Sequence, residues 1–233
     1  MYIREFVKAV TYHSTLNPKL WSGNNLKKDV RFKLLAIAKD FIQFINIPQI
    51  NLKDVTVSGS NASYGYNDFS DVDLHLVVTM PDDPHVRELF DAKKNNYNFK
   101  HQIKVHGIDV EVYVQDEAQP HHSAGIFSVL DNIWLSKPVH KTPEITDREV
   151  RLKARNYSSM INKAIQSDDL NTLLAVQADL KKLRQAGLAK NGEMSVENLA
   201  FKLLRARGKI GKLFRKIQQL KDAKLSLENR NES

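Results

Sequence analysis

Apolar positions in the first fifty residues recur at three- and four-residue steps. In "LKKDVRFKLLAIAKDFIQFI" the series is Val30, Leu34, Leu35, Ala38, Phe41 and Ile42, the spacing of a helix with one buried stripe. Residues 1–50 therefore read as largely helical, up to the break at Pro48 in "NIPQINLKD". Over 54–140 the period shortens to two. "DVTVSGS" and "DVDLHLVV" read as strands joined by a polar loop that holds Asn61, Gly65 and Asn67. "DPHVRELFDAKKNNYNF" reads as a helix, with Asp83 and Pro84 suited to its start. "QIKVHGIDVEVYVQ" reads as a hairpin that turns at His106-Gly107, with Ile108 to Val114 as its second strand. A helix set between strands and feeding a mixed sheet predicts an α/β or α+β domain; with the helical region that follows, the class expected for the chain is α+β, a small mixed sheet with flanking helices.

From 146 onward the helical period returns. Thr146 and Glu149 have capping-box spacing. Gly187 and Gly192 bracket a break between a helix near 168–186 and another near 195–224. In that last helix Val196, Leu203, Ile210 and Ile217 fall seven apart, and so do Leu199, Ala206, Leu213 and Leu220. The seam predicts lengthwise packing, as an antiparallel hairpin with Leu170, Leu173, Leu174, Leu180 and Leu183. A monomer follows from that hairpin; the same seam used between two chains would make a homodimer. The polar tail "SLENRNES" is expected to fray. The division expected is an α/β domain with N-terminal helices over 1–140 and a basic helical domain over 141–233.

Composition adds three constraints. At 233 residues, 42% hydrophobic and 27% charged, the chain has the makeup of an ordinary soluble protein with a substantial core. No apolar run reaches the roughly 20 residues needed to cross a bilayer, and "MYIREFVKAV" lacks a signal-peptide core. Cysteine is absent, which excludes disulfides, thiolate metal sites and cysteine nucleophiles and fits a reducing cytoplasm. A net charge of +8 favours an anionic partner, nucleic acid ahead of a membrane surface.

The chemistry centres on "SGSNASYGYNDFSDVDLHLVV", residues 58–78. Alternation puts Asp71, Asp73 and His75 on one strand face and Val72, Leu74, Leu76 and Val78 on the other. Carboxylates at that spacing, about 7 Å along the backbone, repel unless a cation sits between them. Upstream, Gly59 and Ser60 close a strand, where a glycine backbone, a hydroxyl and adjacent amides suit phosphate oxygens; Asn61 follows directly. Asp71 and Asp73 are hard oxygen ligands for Mg²⁺. A third carboxylate is expected from "GIDVEVYV", where Asp109 and Glu111 project from one face, and spacing does not choose between them. The plainer reading of any Asp-x-Asp is a turn cap or a solvated rim.

A glycine-serine pair after an apolar residue, a gap of ten, an acid pair and a later acid on another strand resemble the polymerase-β-like nucleotidyltransferase superfamily. The matching residues are Val57, Gly59-Ser60, Asp71, Asp73 and Asp109 or Glu111, with one departure, Ser58 between Val57 and the glycine. The resemblance covers 50–115 and extends over 15–140 towards phage-type members that share "NPKLW", "GSNASY", "SDVDLHLVV" and "VEVYVQD". It implies Mg²⁺- or Mn²⁺-dependent transfer of a nucleoside monophosphate from an NTP to an acceptor hydroxyl. Asp71, Asp73 and Glu111 would be the metal ligands and catalytic acids, with Asp109 the second candidate for the last. Gly59, Ser60 and Asn61 would bind the nucleotide. A phage origin would place the protein in the host cytoplasm.

Other residues extend this picture. "KKNNYNFKH" offers Lys93, Lys94 and His101 with Tyr97, suited to phosphates and a base, Lys94 above all; a solvated helix end is the alternative. His75 could touch a metal-bound ligand or simply pack, and His121-His122 reads as a loop feature. Ser60 and Ser123 lack the Gly-x-Ser-x-Gly elbow of a nucleophile. Late in the chain Arg205, Lys209, Lys212, Arg215 and Lys216 form a basic stripe opposite the heptad seam, fit for RNA phosphates. A non-catalytic RNA-binding or protein-interaction module on the same fold is the competing reading.

Overall fold

The computed structural model of the protein describes residues 12–47, 51–119, 123–140 and 145–226. These fall into two compact units, one within Thr11–Thr142 and one within Pro143–Ser233.

The first unit is built on a six-stranded mixed sheet. Its strands are β3 (Leu52–Ser58), β4 (Val72–Val78), β5 (Lys104–Val105), β6 (Ile108–Asp116), β7 (Ile126–Ser128) and β8 (Ile133–Ser136), in the order β5-β6-β4-β3-β7-β8. A two-stranded ribbon, β1 (Trp21–Ser22) and β2 (Asn25–Leu26), stands apart. Strand β4 pairs antiparallel with β3 and parallel with β6. Antiparallel neighbours need only a short loop, whereas the parallel pair needs a crossover, supplied by helix α2 (Pro84–Lys100). The Asp83 side chain caps α2 by accepting from the His85 amide at 2.9 Å, and Pro84 opens its first turn. Between β5 and β6, His106 and Gly107 both take positive φ, as a two-residue hairpin turn requires.

Val55, Val57, Val72, Leu74, Leu76, Val110 and Val112 are buried in one core with Val30, Leu34, Ile37, Ala38, Phe41 and Ile45 of α1 (Lys28–Ile45) and Phe90 and Tyr97 of α2. Alternation leaves Thr56, Ser58, Asp73, His75, Glu111 and Tyr113 for the opposite sheet face. The N-terminal region is less helical than its composition suggests: residues 12–27 are turns and the β1–β2 ribbon, and α1 begins only at Lys28. Leu35 and Ile42 lie at the flank of the buried stripe, partly exposed.

The second unit is all-helical: α3 (Asp147–Ser167), α4 (Leu170–Asn191), α5 (Val196–Ala206) and α6 (Lys209–Leu225) around a core of its own. The Thr146–Glu149 capping box forms in both directions, amide to carboxylate at 2.8 Å and amide to hydroxyl at 3.3 Å. Two expectations need correction. The helix over 195–224 is two helices, because Gly208 adopts φ of 71° and ends the run. Gly187 does not break α4; it lies within it, where a Cβ would come 2.8 Å from Glu197 Cβ and 2.9 Å from Ser195 Oγ. The glycine admits α5, and Gly192 ends the helix. Leu173 and Leu180 are buried in this core, with Leu170, Leu174 and Leu183 packed at its margin. No helix among the described residues is long and apolar enough to cross a membrane. The polar tail beyond 226, His121-His122 and Pro48 lie outside the described residues.

Candidate active site

Strand register builds the acidic cluster. Asp73 lies opposite Glu111 across the parallel β4–β6 pair and opposite Ser58 across β3–β4. Asp71 sits just before β4, and its carbonyl accepts from Asn61 Nδ2 at 2.7 Å. Asp71, Asp73 and Glu111, all half-buried, each offer one carboxylate oxygen, and these atoms lie within 4.8 Å of one another. Asp109 is not brought to them: it is exposed and pairs with Lys104 Nζ at 2.5 Å. Parity along the strand is the same for Asp109 and Glu111, so only the register with β4 separates them.

Gly59 makes the cluster possible. It holds φ of +73°, and a Cβ built there would lie 1.9 Å from Asp73 Oδ2. The missing side chain seats Asp73, a more immediate reason for glycine than an anion's approach. The Gly59 amide donates to Ser123 Oγ at 3.2 Å, and the buried Ser60 hydroxyl donates to Ser70 Oγ at 2.9 Å.

Asn61 needs correction as a nucleotide ligand. It is 0% exposed; its side chain accepts from Asn17 Nδ2 at 2.8 Å and donates to the Asp71 carbonyl, and its carbonyl accepts from Trp21 Nε1 at 2.7 Å. All of this pins the loop that presents Asp71. Tyr97 needs the same correction as a base-stacking residue: at 1% exposed it packs edge-on against Phe41 and donates to Asp40 Oδ2 at 2.7 Å. Lys93 and Lys100 lie over the Phe44 ring. Lys94 bonds Asp91 at 3.0 Å and sits 5.7 Å from the centre of the Tyr113 ring.

A second row of side chains, which the motif alone does not reveal, lies two residues further along the strands. His75 stands opposite Tyr113, their rings stack at 5.0 Å and 20°, and His75 Nε2 is 3.0 Å from Ser58 Oγ. The Tyr113 hydroxyl donates to Glu111 Oε2. Burial, that hydrogen bond and the charges of Asp73, Glu111 and Asp71 push the Tyr113 phenol well above its ordinary range, so it remains a donor. Strand alternation was the available signal for Tyr113, since it shares a face with Glu111.

The basic residues expected to meet RNA do not form one continuous helical stripe, because α5 and α6 are separate. Arg205 is exposed on α5, and Lys212 and Arg215 are exposed on α6. Lys209 Nζ donates to Asn162 Oδ1 at 3.0 Å, and Lys216 pairs with Asp168.

No protein-family model matches the chain, and no curated protein matches it. Among solved structures it is similar to the STING-associated CdnE c-di-GMP synthase from Capnocytophaga granulosa, with a TM-score of 0.26 and 10% identity over 84% of this chain and 82% of that one. So loose a likeness assigns neither fold nor activity.

Proposed function

We propose that the protein is a Mg²⁺- or Mn²⁺-dependent nucleotidyltransferase that moves a nucleoside monophosphate from an NTP to an acceptor hydroxyl. The observation that carries this reading is the convergence of Asp71, Asp73 and Glu111 within 4.8 Å, beside the glycine turn that seats Asp73. The donor set fits the ion: three carboxylates are hard anionic oxygens, the ligands Mg²⁺ and Mn²⁺ select. Unit charges about 4 Å apart repel by about 4 kcal/mol at an effective dielectric of about 20, so a cation stabilises the cluster.

Asp71, Asp73 and Glu111 would hold the metal. A metal there would lower the pKa of the attacking hydroxyl and offset charge on the leaving group. The acceptor oxygen forms a bond to the α-phosphorus, the bond to the β-phosphate oxygen breaks, and pyrophosphate leaves. The hydroxyl proton passes to the Glu111 carboxylate. Gly59 and Ser60 through their backbone, and Lys94 at the rim, are the groups assigned to the triphosphate. An RNA 3′ hydroxyl is the favoured acceptor, supported by the net charge of +8 and the exposed Arg205, Lys212 and Arg215.

The test is transfer of labelled α-phosphate from each NTP in Mg²⁺ or Mn²⁺, with RNA, the protein itself and small hydroxyl compounds as acceptors. Label that appears with the native chain and vanishes with Asp71→Ala/Asp73→Ala is expected. RNA binding that survives the double substitution, with neither transfer nor metal-dependent NTP binding, would mark a non-catalytic module.

A further inference from the structure

We propose that Tyr113 is a positioning residue for the acidic centre: its phenol fixes the Glu111 carboxylate for a divalent cation, and His75 and Lys94 hold the Tyr113 ring in place. The inference deepens the metal reading above and rests on it.

Glu111 needs such help more than Asp71 or Asp73 does. A glutamate has one more side-chain torsion than an aspartate, so its carboxylate can reach more positions. Beside two other carboxylates, repulsion favours any rotation that carries it away. The Tyr113 hydroxyl removes that freedom by donating to Oε2, and a carboxylate that accepts one such bond can still ligate a cation. Outer partners of this kind orient ligating carboxylates in metal sites.

The phenol is itself held. Its ring lies 5.0 Å from His75 at 20°, and His75 reaches Ser58 Oγ at 3.0 Å. Ser58 is also the residue paired with Asp73 across β3–β4. The brace thus runs Ser58, His75, Tyr113, Glu111 over three adjacent strands and returns to the acidic row at both ends. Lys94 covers the ring from α2, 5.7 Å from its centre, anchored by Asp91. Tyr97 supplies the internal comparison: it too is a phenol that donates to a carboxylate, Asp40, though from a fully buried position, and Asp40 is not one of the three clustered acids.

The experiment is Mn²⁺ binding to the full-length protein, read as free Mn²⁺ by electron paramagnetic resonance, alongside thermal unfolding in EDTA. Tyr113→Phe keeps the ring and removes only the hydroxyl; it is expected to raise the Mn²⁺ dissociation constant about 10- to 100-fold. Tyr97→Phe is expected to leave that constant unchanged whatever it does to unfolding. His75→Ala keeps the hydroxyl, removes its stack, and is expected to weaken Mn²⁺ binding in the same direction. Tyr113→Phe and His75→Ala proteins that bind Mn²⁺ as the native chain does would overturn the brace and leave the metal reading intact. A loss equal to that of Tyr97→Phe would also overturn it, as a packing effect. A native chain with no Mn²⁺ site dependent on Asp71 and Asp73 would overturn both.

Discussion

At Gly59 a positive φ and a carboxylate compete for the same space. Any Cβ there meets Asp73 Oδ2, and at φ 73° and ψ −159° the backbone lies in a region that is essentially glycine's alone, which costs an L side chain about 1–3 kcal/mol by itself. Gly59→Ala is therefore expected to lower the unfolding midpoint and, by displacing Asp73, to weaken Mn²⁺ binding; a variant that unfolds and binds as the native chain does would show that Asp73 has room to move. Asp109→Asn makes the opposite prediction. Its partner is an exposed lysine, a pair worth about 0–1 kcal/mol, so metal binding should persist, whereas Glu111→Gln should lose it. The Tyr97 phenol is pushed above its ordinary value by burial first, then by the hydrogen bond to and charge of Asp40. A raised folded pKa contributes stability that is complete below pH 10 and is lost as the pH rises beyond it. Denaturant titrations at pH 9 and pH 11 should show the native chain losing more stability than Tyr97→Phe; equal losses would contradict the assignment. The acid pair and the glycine were legible as residue types at a spacing. The true roles of Asn61 and Tyr97 were not, because a polar or aromatic residue near a motif looks the same whether it faces a ligand or, like Asn61, meets Asn17 from 44 positions away.

Elements were legible where the signal was local. The Thr146–Glu149 box and the Asp83-Pro84 start are set by residues three or fewer apart, and both form. Thr146→Ala should cost about 0.5–2 kcal/mol in urea unfolding. The break at Gly208 was hidden by its own success: Leu203 and Ile210 are both buried, so the heptad count runs through the turn although the helix does not. Register was equally invisible, since the choice between Asp109 and Glu111 depends on which residue of β6 faces Asp73. Gly187 turned on packing rather than propensity. Alanine in place of glycine inside a helix normally gains about 1 kcal/mol. Here the added methyl meets Glu197 and Ser195, so Gly187→Ala should destabilise the helical unit; a stabilised variant would mean α5 yields without strain.

For the whole molecule, the α+β class with a helical C-terminal region was readable because the period changes from two to 3.6 near residue 146, and each unit closes its own apolar core. Charge acts at this scale too. The net +8 predicts that any RNA affinity falls with salt, and that Arg205→Glu/Lys212→Glu/Arg215→Glu lowers both the affinity and the steepness of that fall. Unchanged salt dependence would remove those residues as the contact. Crystals grown with MnCl₂ and a non-hydrolysable NTP would show whether the three carboxylates hold a divalent metal for nucleotide chemistry. An anomalous manganese peak is expected among Asp71, Asp73 and Glu111, with the triphosphate beside it. A well-ordered nucleotide bound elsewhere, or no manganese at those carboxylates, would contradict that role.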